Sequence, residues 1–293
     1  MKSLAQFIVK SPGQSALVAG LATASLLLSW VGAAALALYA LRFGLAAATP
    51  VFIVALLPAG FWALAGDIGP LLTLCGALGL ALLLRLRSSW ADLLSVLPFA
   101  MAALCLLVLV VAPDYVQGLQ AMASAFVEQF KQQLVESGST DTELLTRLQN
   151  MPTPGASQLM GMMALMQSTT VLVSLLLARW WQAMLFNPGG FRQEFHSLRL
   201  GRIQVLVLVA CFVGLVGNEA HAFWAWVFVV PIIVAGIALV HGLVGIAGAA
   251  SRWLIMFYAA LLLFRPAFGL LVALAVMDCA LDFRRRLQQS RAG

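Results

Sequence analysis

Uncharged apolar runs, each about as long as a helix that crosses a bilayer, recur along this 293-residue chain. A hydrocarbon core about 30 Å thick needs roughly 20 apolar residues per helix. The runs are continuous and do not alternate between apolar and polar residues, so they predict helices and not barrel strands. With only 10% charged residues, the whole chain, 1–293, is predicted to be one all-α, polytopic transmembrane helix bundle. The clearest predicted spans are 43–65, 68–84, 93–112, 156–178, 203–217 and 222–248.

Two further apolar stretches, near the ends of the chain, leave the number of crossings open between eight and ten. The stretch 15–41 is interrupted at 29–32, and the stretch 253–281 is interrupted by Arg265 and Pro266. Proline removes a backbone donor and tends to end or kink a helix. Each stretch is therefore either one long helix or a hairpin of two short helices, and re-entrant arms also stay open.

The distribution of Lys and Arg favours the hairpins, because cytoplasmic loops carry an excess of both residues. Two hairpins give ten crossings with both termini in the cytoplasm, and place fourteen basic residues inside against three outside. Two single helices reduce the split to about eight against eight. The sequence thus predicts a multi-pass protein of a bacterial cytoplasmic (inner) membrane. The fourteen are Lys2, Lys10, Arg42, Arg85, Arg87, Arg179, Arg192, Arg199, Arg202, Arg252, Arg284, Arg285, Arg286 and Arg291, and the three are Lys131, Arg147 and Arg265.

One long polar segment, 114–154, is predicted to be an extracytoplasmic loop inserted between membrane helices. Apolar residues recur in it at spacings of three and four, which is typical of an amphipathic helix lying on a membrane or on the bundle. Thr140 and Glu143 form a capping box for a short second helix that continues to Leu148. The loop is either a cap over a substrate entrance or a plain surface connector. The apolar residues are Leu119, Met122, Phe126, Phe130 and Leu134.

Four strings in the expected order resemble the YybS-like family of bacterial membrane proteins. The last helix ends in Asp-x-x-x-Asp-Phe-Arg-Arg-Arg at 278–286, and the other strings are 41–44, 178–181 followed by 191–195, and 241–243. That family has no established activity, and its arrangement is similar to the substrate-binding S-components of energy-coupling-factor vitamin transporters. The resemblance implies a small-molecule binding component that docks a partner through small residues of its first helix. Ala16, Gly20 and Ala24 have the matching spacing, which ordinary internal packing also explains.

Ionisable groups within hydrocarbon are costly, so the few that are present are candidate functional residues. Asp278 and Asp282 lie one turn apart on the last predicted helix. Asp282 is expected to pair with Arg286 in the next turn, and Asp278 with Arg179 from another helix. These pairs are predicted to be structural, with a proton or cation relay as the alternative. His241 interrupts a long uncharged run, as a packing residue or as a ligand-binding group.

Several activities lack their sequence signature. The chain has three lysines, none of which follows a glycine, so no phosphate-binding P-loop is present. No hydrolase or zinc-protease motif occurs, and we predict that the chain is not an enzyme. No cofactor or metal site is predicted, because the four cysteines, Cys75, Cys105, Cys211 and Cys279, are scattered singly. The net charge of +6 follows the cytoplasmic rim, where it meets lipid headgroups and not nucleic acid.

Two functional hypotheses follow. The first is a small-molecule binding or transport component, in which Asp278, His241 and Asn218 converge on a polar cavity near mid-depth. The second is a non-transporting membrane scaffold that binds a protein partner through its first helix or through its basic cytoplasmic linker.

Overall fold

The computed structural model describes residues 1–136, 146, 153–250 and 252–292. All regular structure in these ranges is helical, which confirms the predicted all-α class. Each of the ten segments of the hairpin interpretation coincides with an α-helix, and the described residues contain four further α-helices. In chain order the α-helices are α1 Lys2–Lys10, α2 Pro12–Ala24, α3 Ser29–Phe43, α4 Leu45–Leu64, α5 Gly69–Arg87, α6 Trp90–Val111, α7 Pro113–Glu136, α8 Ala156–Phe186, α9 Gly190–Ser197, α10 Arg202–Val216, α11 Ala222–Ile246, α12 Arg252–Leu263, α13 Pro266–Leu281 and α14 Phe283–Ala292.

Six of the described helices are long and apolar enough to cross a bilayer, counting α3 together with the short 3₁₀ turn Leu26–Leu28 that precedes it. Two bent pairs, α9 with α10 and α12 with α13, raise this number to eight if each pair is one span. The predicted span 203–217 corresponds to α10, which is shorter than a full span by itself. The chain is therefore a multi-pass helical membrane protein by the length and composition of its helices.

The N-terminal stretch folds as the predicted hairpin. Helices α2 and α3 pack side by side, and their backbones meet closely at Gly32. A Cβ atom at Gly32 would lie 2.5 Å from the Thr23 hydroxyl and 2.8 Å from the Ala19 carbonyl oxygen. Only glycine permits this approach. The turn itself is formed by Ser25 and the 3₁₀ turn Leu26–Leu28, just before the predicted interruption at 29–32, which lies within α3.

The C-terminal stretch is also interrupted where proline predicts it. Helix α12 ends at Leu263, α13 begins at Pro266, and the two axes differ by 120°. At 1.5 Å per residue, the arms are about 18 Å and 24 Å long, which is shorter than the roughly 30 Å hydrocarbon core. This geometry is that of a broken span or a re-entrant hairpin.

Helix α3 forms the centre of the bundle. Residues 33–41 are all buried, because α2, α5 and α8 surround them. Five of these nine residues are alanines, and their small side chains allow the neighbouring helices to approach α3 on all sides. The core around α3 therefore depends on the close approach of its neighbouring helices.

Polar contacts gather at the two ends of the bundle. At one end, which we call the arginine end, Arg85, Arg179, Arg199 and Arg284 each bind a group from another helix or loop. The opposite end holds Asn218, and there the Ser157 hydroxyl donates to the Ala220 carbonyl at 3.0 Å. We call it the Asn218 end. The chain thus brings most of the predicted cytoplasmic basic residues to one end.

Helix α7 leaves the bundle at the Asn218 end and confirms the predicted amphipathic helix. Val116 is buried against the bundle. Met122 and Phe126 are each 69% exposed, so the apolar face of α7 is free to meet lipid. The predicted capping box of Thr140 and Glu143, with its short helix, lies outside the described residues.

Candidate functional site

A polar cleft of about 1140 Å³ lies at the arginine end, between α9 on one side and α14 on the other. Its floor is one face of α11. We call it the basic cleft, because four arginines and a single carboxylate line it. Its lining residues are Gly189, Arg192, Gln193, His196, Ser197, Arg199, Gly242, Gly245, Ile246, Asp282, Arg284, Arg285 and Gln288.

The first wall, α9, is positioned by the turn that ends α8. Gly189 has a φ of +87°, which favours glycine, and it forms the N-cap of α9. Gly190 packs against the Asn187 side chain so closely that a Cβ atom there would overlap the Asn187 amide nitrogen. This tight turn directs Arg192 and His196 of α9 toward the cleft.

The floor contains two glycines, three residues apart on α11. A Cβ atom at Gly242 would lie 2.6 Å from the His196 carbonyl oxygen and 2.7 Å from Arg284 Nε. At Gly245 it would lie 2.8 Å from His196 Nδ1. The absence of side chains at these positions therefore lets both walls of the cleft pack directly onto α11.

A buried ion pair holds the second wall. Arg284 donates through Nη1 to Asp278 Oδ2 and through Nη2 to the Leu198 carbonyl oxygen, both at 2.9 Å. Asp278 also accepts from the Phe283 backbone N–H at 2.9 Å. The predicted pairing of Asp278 with Arg179 is therefore wrong. Helix α13 ends at Leu281, and the chain turns at Asp282 so that Arg284, in the next helix, reaches back to Asp278.

The predicted pairing of Asp282 with Arg286 is also wrong. Asp282 has a φ of +49° and ends α13. It also caps the start of α14, where its Oδ1 accepts from the Arg285 backbone N–H at 3.3 Å, while the Arg286 side chain donates through Nε to the Leu281 carbonyl oxygen at 2.7 Å. Asp282 instead forms an ion pair with Arg199, which lies just beyond α9. Partial burial raises the pKa of Asp282, but hydrogen bonds from Arg199 and from the Arg285 backbone outweigh burial and leave that pKa below its ordinary value.

Arg179 has a different partner, on the far side of α9. Its Nε donates to Glu194 Oε2 at 2.9 Å, and Trp90 Nε1 donates to the same oxygen at 3.3 Å. A smaller polar cavity of about 180 Å³ lies beside this pair, next to Arg85 and Ser88. Glu194 thus fixes α9 to the bundle and leaves the opposite face of α9 to line the basic cleft.

The basic cleft keeps unpaired positive charge. Arg199 and Arg284 are paired, whereas the guanidinium groups of Arg192 and Arg285 form no ion pair or hydrogen bond within the described residues. Burial lowers the pKa of His196, and the positive charges of Arg192 and Arg284 lower it further. The pKa of His196 therefore lies below its ordinary value, and an anion bound in the cleft would favour the protonated form.

The three predicted substrate-binding residues do not share one cavity. His241 lies on α11 near the cleft, where its Nε2 is 2.8 Å from the Tyr258 hydroxyl and its ring meets Phe195 edge-on. Asn218 lies at the other end of the molecule and accepts from the Ala220 backbone N–H. About 28 Å of α11, with buried apolar residues along it, separates the two ends.

The small residues predicted to dock a partner, Ala16, Gly20 and Ala24, lie on α2 and contact α4. Ala16 is buried, Gly20 faces Val54 at ordinary van der Waals distance, and the Ala24 carbonyl oxygen accepts from Trp62 Nε1. Internal packing, one of the two explanations of this stripe, is thus present in the structure.

The cleft itself was missed by the sequence argument. Its signals were Gly242 and Gly245, which mark a close approach on α11, and the arginines within 190–200 and 284–286. Nothing in the sequence indicates that these segments meet. Within the described residues, no group of three or more His, Cys, Asp or Glu side chains is arranged to hold a metal ion.

Three comparisons with known proteins, against family models, curated proteins and solved structures, find no match to this chain. The resemblance to the YybS-like family and to S-components therefore stays a prediction.

Proposed function

We propose that this chain is a membrane-embedded component that binds a small anionic molecule in the basic cleft at its arginine end. The observation that carries the proposal is the excess of positive charge in the cleft, with Arg192 and Arg285 unpaired and Asp282 as the single lining carboxylate. Guanidinium groups donate several hydrogen bonds in a planar fork that matches phosphate and carboxylate oxygens. The cleft volume of about 1140 Å³ leaves room for a metabolite-sized ligand.

In the same proposal, the arginine end faces the cytoplasm of a bacterial cell and the membrane is the cytoplasmic membrane. The positive-inside rule supports this orientation, because the basic residues gather at one end. Lys2 and Arg291 lie near the two termini, so both termini belong to the cytoplasmic side. A ligand in the basic cleft then comes from the cytoplasm.

The site differs from the mid-depth cavity expected from the sequence. Asp278 contributes by holding Arg284 in place, and His241 lies beside the cleft, whereas Asn218 lies too far away to take part. The proposal keeps the small-molecule binding component that the S-component resemblance implies, with its ligand at the bundle end.

Calorimetric titration of the full chain in a neutral detergent tests the proposal. The probes are inorganic pyrophosphate, citrate and sulfate. We expect Arg192→Gln and Arg285→Gln each to weaken binding by roughly tenfold, since a hydrogen bond to a charged group contributes about 1.5–3 kcal/mol and about 1.4 kcal/mol is tenfold. Arg87→Gln is the matched control, because Arg87 is exposed at the arginine end and does not line the cleft.

A wild-type chain that binds none of the three probes would refute the proposal. Equal affinities for wild type, Arg192→Gln and Arg285→Gln would refute the assigned site.

The scaffold hypothesis remains a second candidate through the basic linker only. The small residues on α2 that were predicted to dock a partner face α4 instead. A partner would therefore have to bind the exposed arginines of the basic cleft. A protein that co-purifies with wild type and is lost with Arg192→Gln, without any bound small molecule, would favour the scaffold.

A further inference from the structure

A second cavity, of about 810 Å³, lies on the side of the bundle between α10, α11 and α13. We call it the lateral groove. Its walls are apolar side chains and one glycine, among them Phe212, Trp226 and Phe268. Arg265 is the single charged residue in its lining. The groove therefore combines a long apolar surface with one positive charge.

The groove has the length of one lipid leaflet. Along α13 it runs from Arg265 to Met277, which is about 18 Å at 1.5 Å per residue. Half of a hydrocarbon core is about 15 Å thick. An acyl chain from one leaflet therefore spans the groove.

Arg265 lies at the α12–α13 turn, at the Asn218 end of the groove. Its side chain is exposed, and its guanidinium forms no ion pair or hydrogen bond with any described residue. The arms on either side of it are shorter than the hydrocarbon core, so the turn does not carry Arg265 far into water. A cation held at the membrane boundary attracts an anionic group from the lipid.

Trp226 places the mouth of the groove at the membrane boundary. It lies near the start of α11, is half exposed, and its ring packs edge-on against Phe212. Tryptophan is enriched where hydrocarbon meets headgroups. Trp226 and Arg265 line the same cavity, so the guanidinium is at headgroup level.

We propose that the lateral groove binds an anionic phospholipid from the leaflet at the Asn218 end. An acyl chain fills the apolar groove, and the phosphate is the counterion of Arg265. This site is independent of the basic cleft, which lies at the opposite end of the bundle and has a soluble ligand.

Photo-crosslinking in vesicles tests the proposal. The full chain is reconstituted in equal amounts of phosphatidylcholine and phosphatidylglycerol, with a trace of either lipid carrying a photoreactive acyl chain. Mass spectrometry then quantifies lipid adducts on α10, α11 and α13. We expect phosphatidylglycerol to exceed phosphatidylcholine on these helices by roughly tenfold.

Two variants separate the charge from the groove. Arg265→Gln is expected to bring the adduct ratio of the two lipids close to one. Gly269→Leu places its side chain in open space, since no atom lies within 4 Å of a Cβ atom there, and it should reduce adducts of both lipids. Arg252→Gln, at the other end of α12, and Gly60→Leu, on α4, are the matched controls and should retain the wild-type ratio.

Equal labelling by both lipids in the wild-type chain would overturn the proposal. A phosphatidylglycerol preference that survives Arg265→Gln would overturn the role of Arg265.

Discussion

Replacement of Arg284 by methionine tests the wall of the basic cleft. Arg284 is 8% exposed and Asp278 is 3% exposed, so the pair is screened little by water. Arg284→Met keeps most of the side-chain volume but removes the charge. It leaves Asp278 Oδ2 and the Leu198 carbonyl oxygen without their donors.

The expected loss is about 3 kcal/mol of unfolding free energy. Removal of one partner of a buried ion pair costs about 3–5 kcal/mol, because the other charge stays buried and unpaired. Asp278 still accepts from the Phe283 N–H at 2.9 Å, which puts the expectation at the lower end. Adding Asp278→Asn to Arg284→Met removes the stranded charge, so the double variant should lose about 2 kcal/mol less than the sum of the single variants.

Equilibrium unfolding in mixed micelles of dodecyl maltoside and sodium dodecyl sulfate gives these free energies. Arg87→Met is the control, because Arg87 is exposed at the same end of the bundle, and it should stay within about 0.5 kcal/mol of wild type. An equally small change for Arg284→Met, or additive losses in the double variant, would refute the buried pair.

Two further predictions concern the floor and the pH response of the cleft. Gly242→Ala should lower the unfolding free energy by about 1–3 kcal/mol, because its Cβ would overlap the His196 carbonyl oxygen and Arg284. Gly79→Ala is the control and should leave the unfolding free energy unchanged, because the space around Gly79 is open. Equal melting curves for the two variants would contradict the close packing at Gly242. Sulfate affinity should rise as the pH falls below 6.5, the ordinary pKa of histidine, since His196 then gains a proton that a bound anion favours. Without an anion, the same protonation lowers stability, because the pKa of folded His196 lies below its unfolded value. His196→Gln should abolish this rise in sulfate affinity, whereas the control His221→Gln, at the opposite end, should retain it. A sulfate affinity of the wild-type chain that does not change with pH would contradict the role of His196.

The helical architecture followed from the sequence because its cause is local. Continuous apolar runs force the backbone to satisfy its own hydrogen bonds, so helices were the available choice. The break at Pro266 and the interruption before Gly32 were visible for the same reason, as each is a property of adjacent residues.

The ion pairs did not follow from the sequence. Helical spacing suggested Asp282 with Arg286, but Asp282 ends α13 and caps α14, and the Arg286 side chain donates to the Leu281 carbonyl oxygen instead. Arg199 and Arg284 became partners of Asp282 and Asp278 through the turn between α13 and α14 and through the placement of α9. Such contacts depend on tertiary geometry, which charge counting cannot supply.

The most direct test of the account asks whether the basic cleft opens to the cytoplasm and holds an anion. Gln288→Cys lines the cleft, whereas Gln289→Cys is exposed on the same helix outside the lining. A membrane-impermeant maleimide is added to inside-out and to right-side-out vesicles, with and without pyrophosphate. The account predicts that the cysteines introduced at positions 288 and 289 react with the maleimide only in inside-out vesicles. It also predicts that pyrophosphate lowers the labelling rate of the Gln288→Cys variant but not that of the Gln289→Cys variant. Labelling from the right-side-out face, or equal rates with and without pyrophosphate, would contradict it.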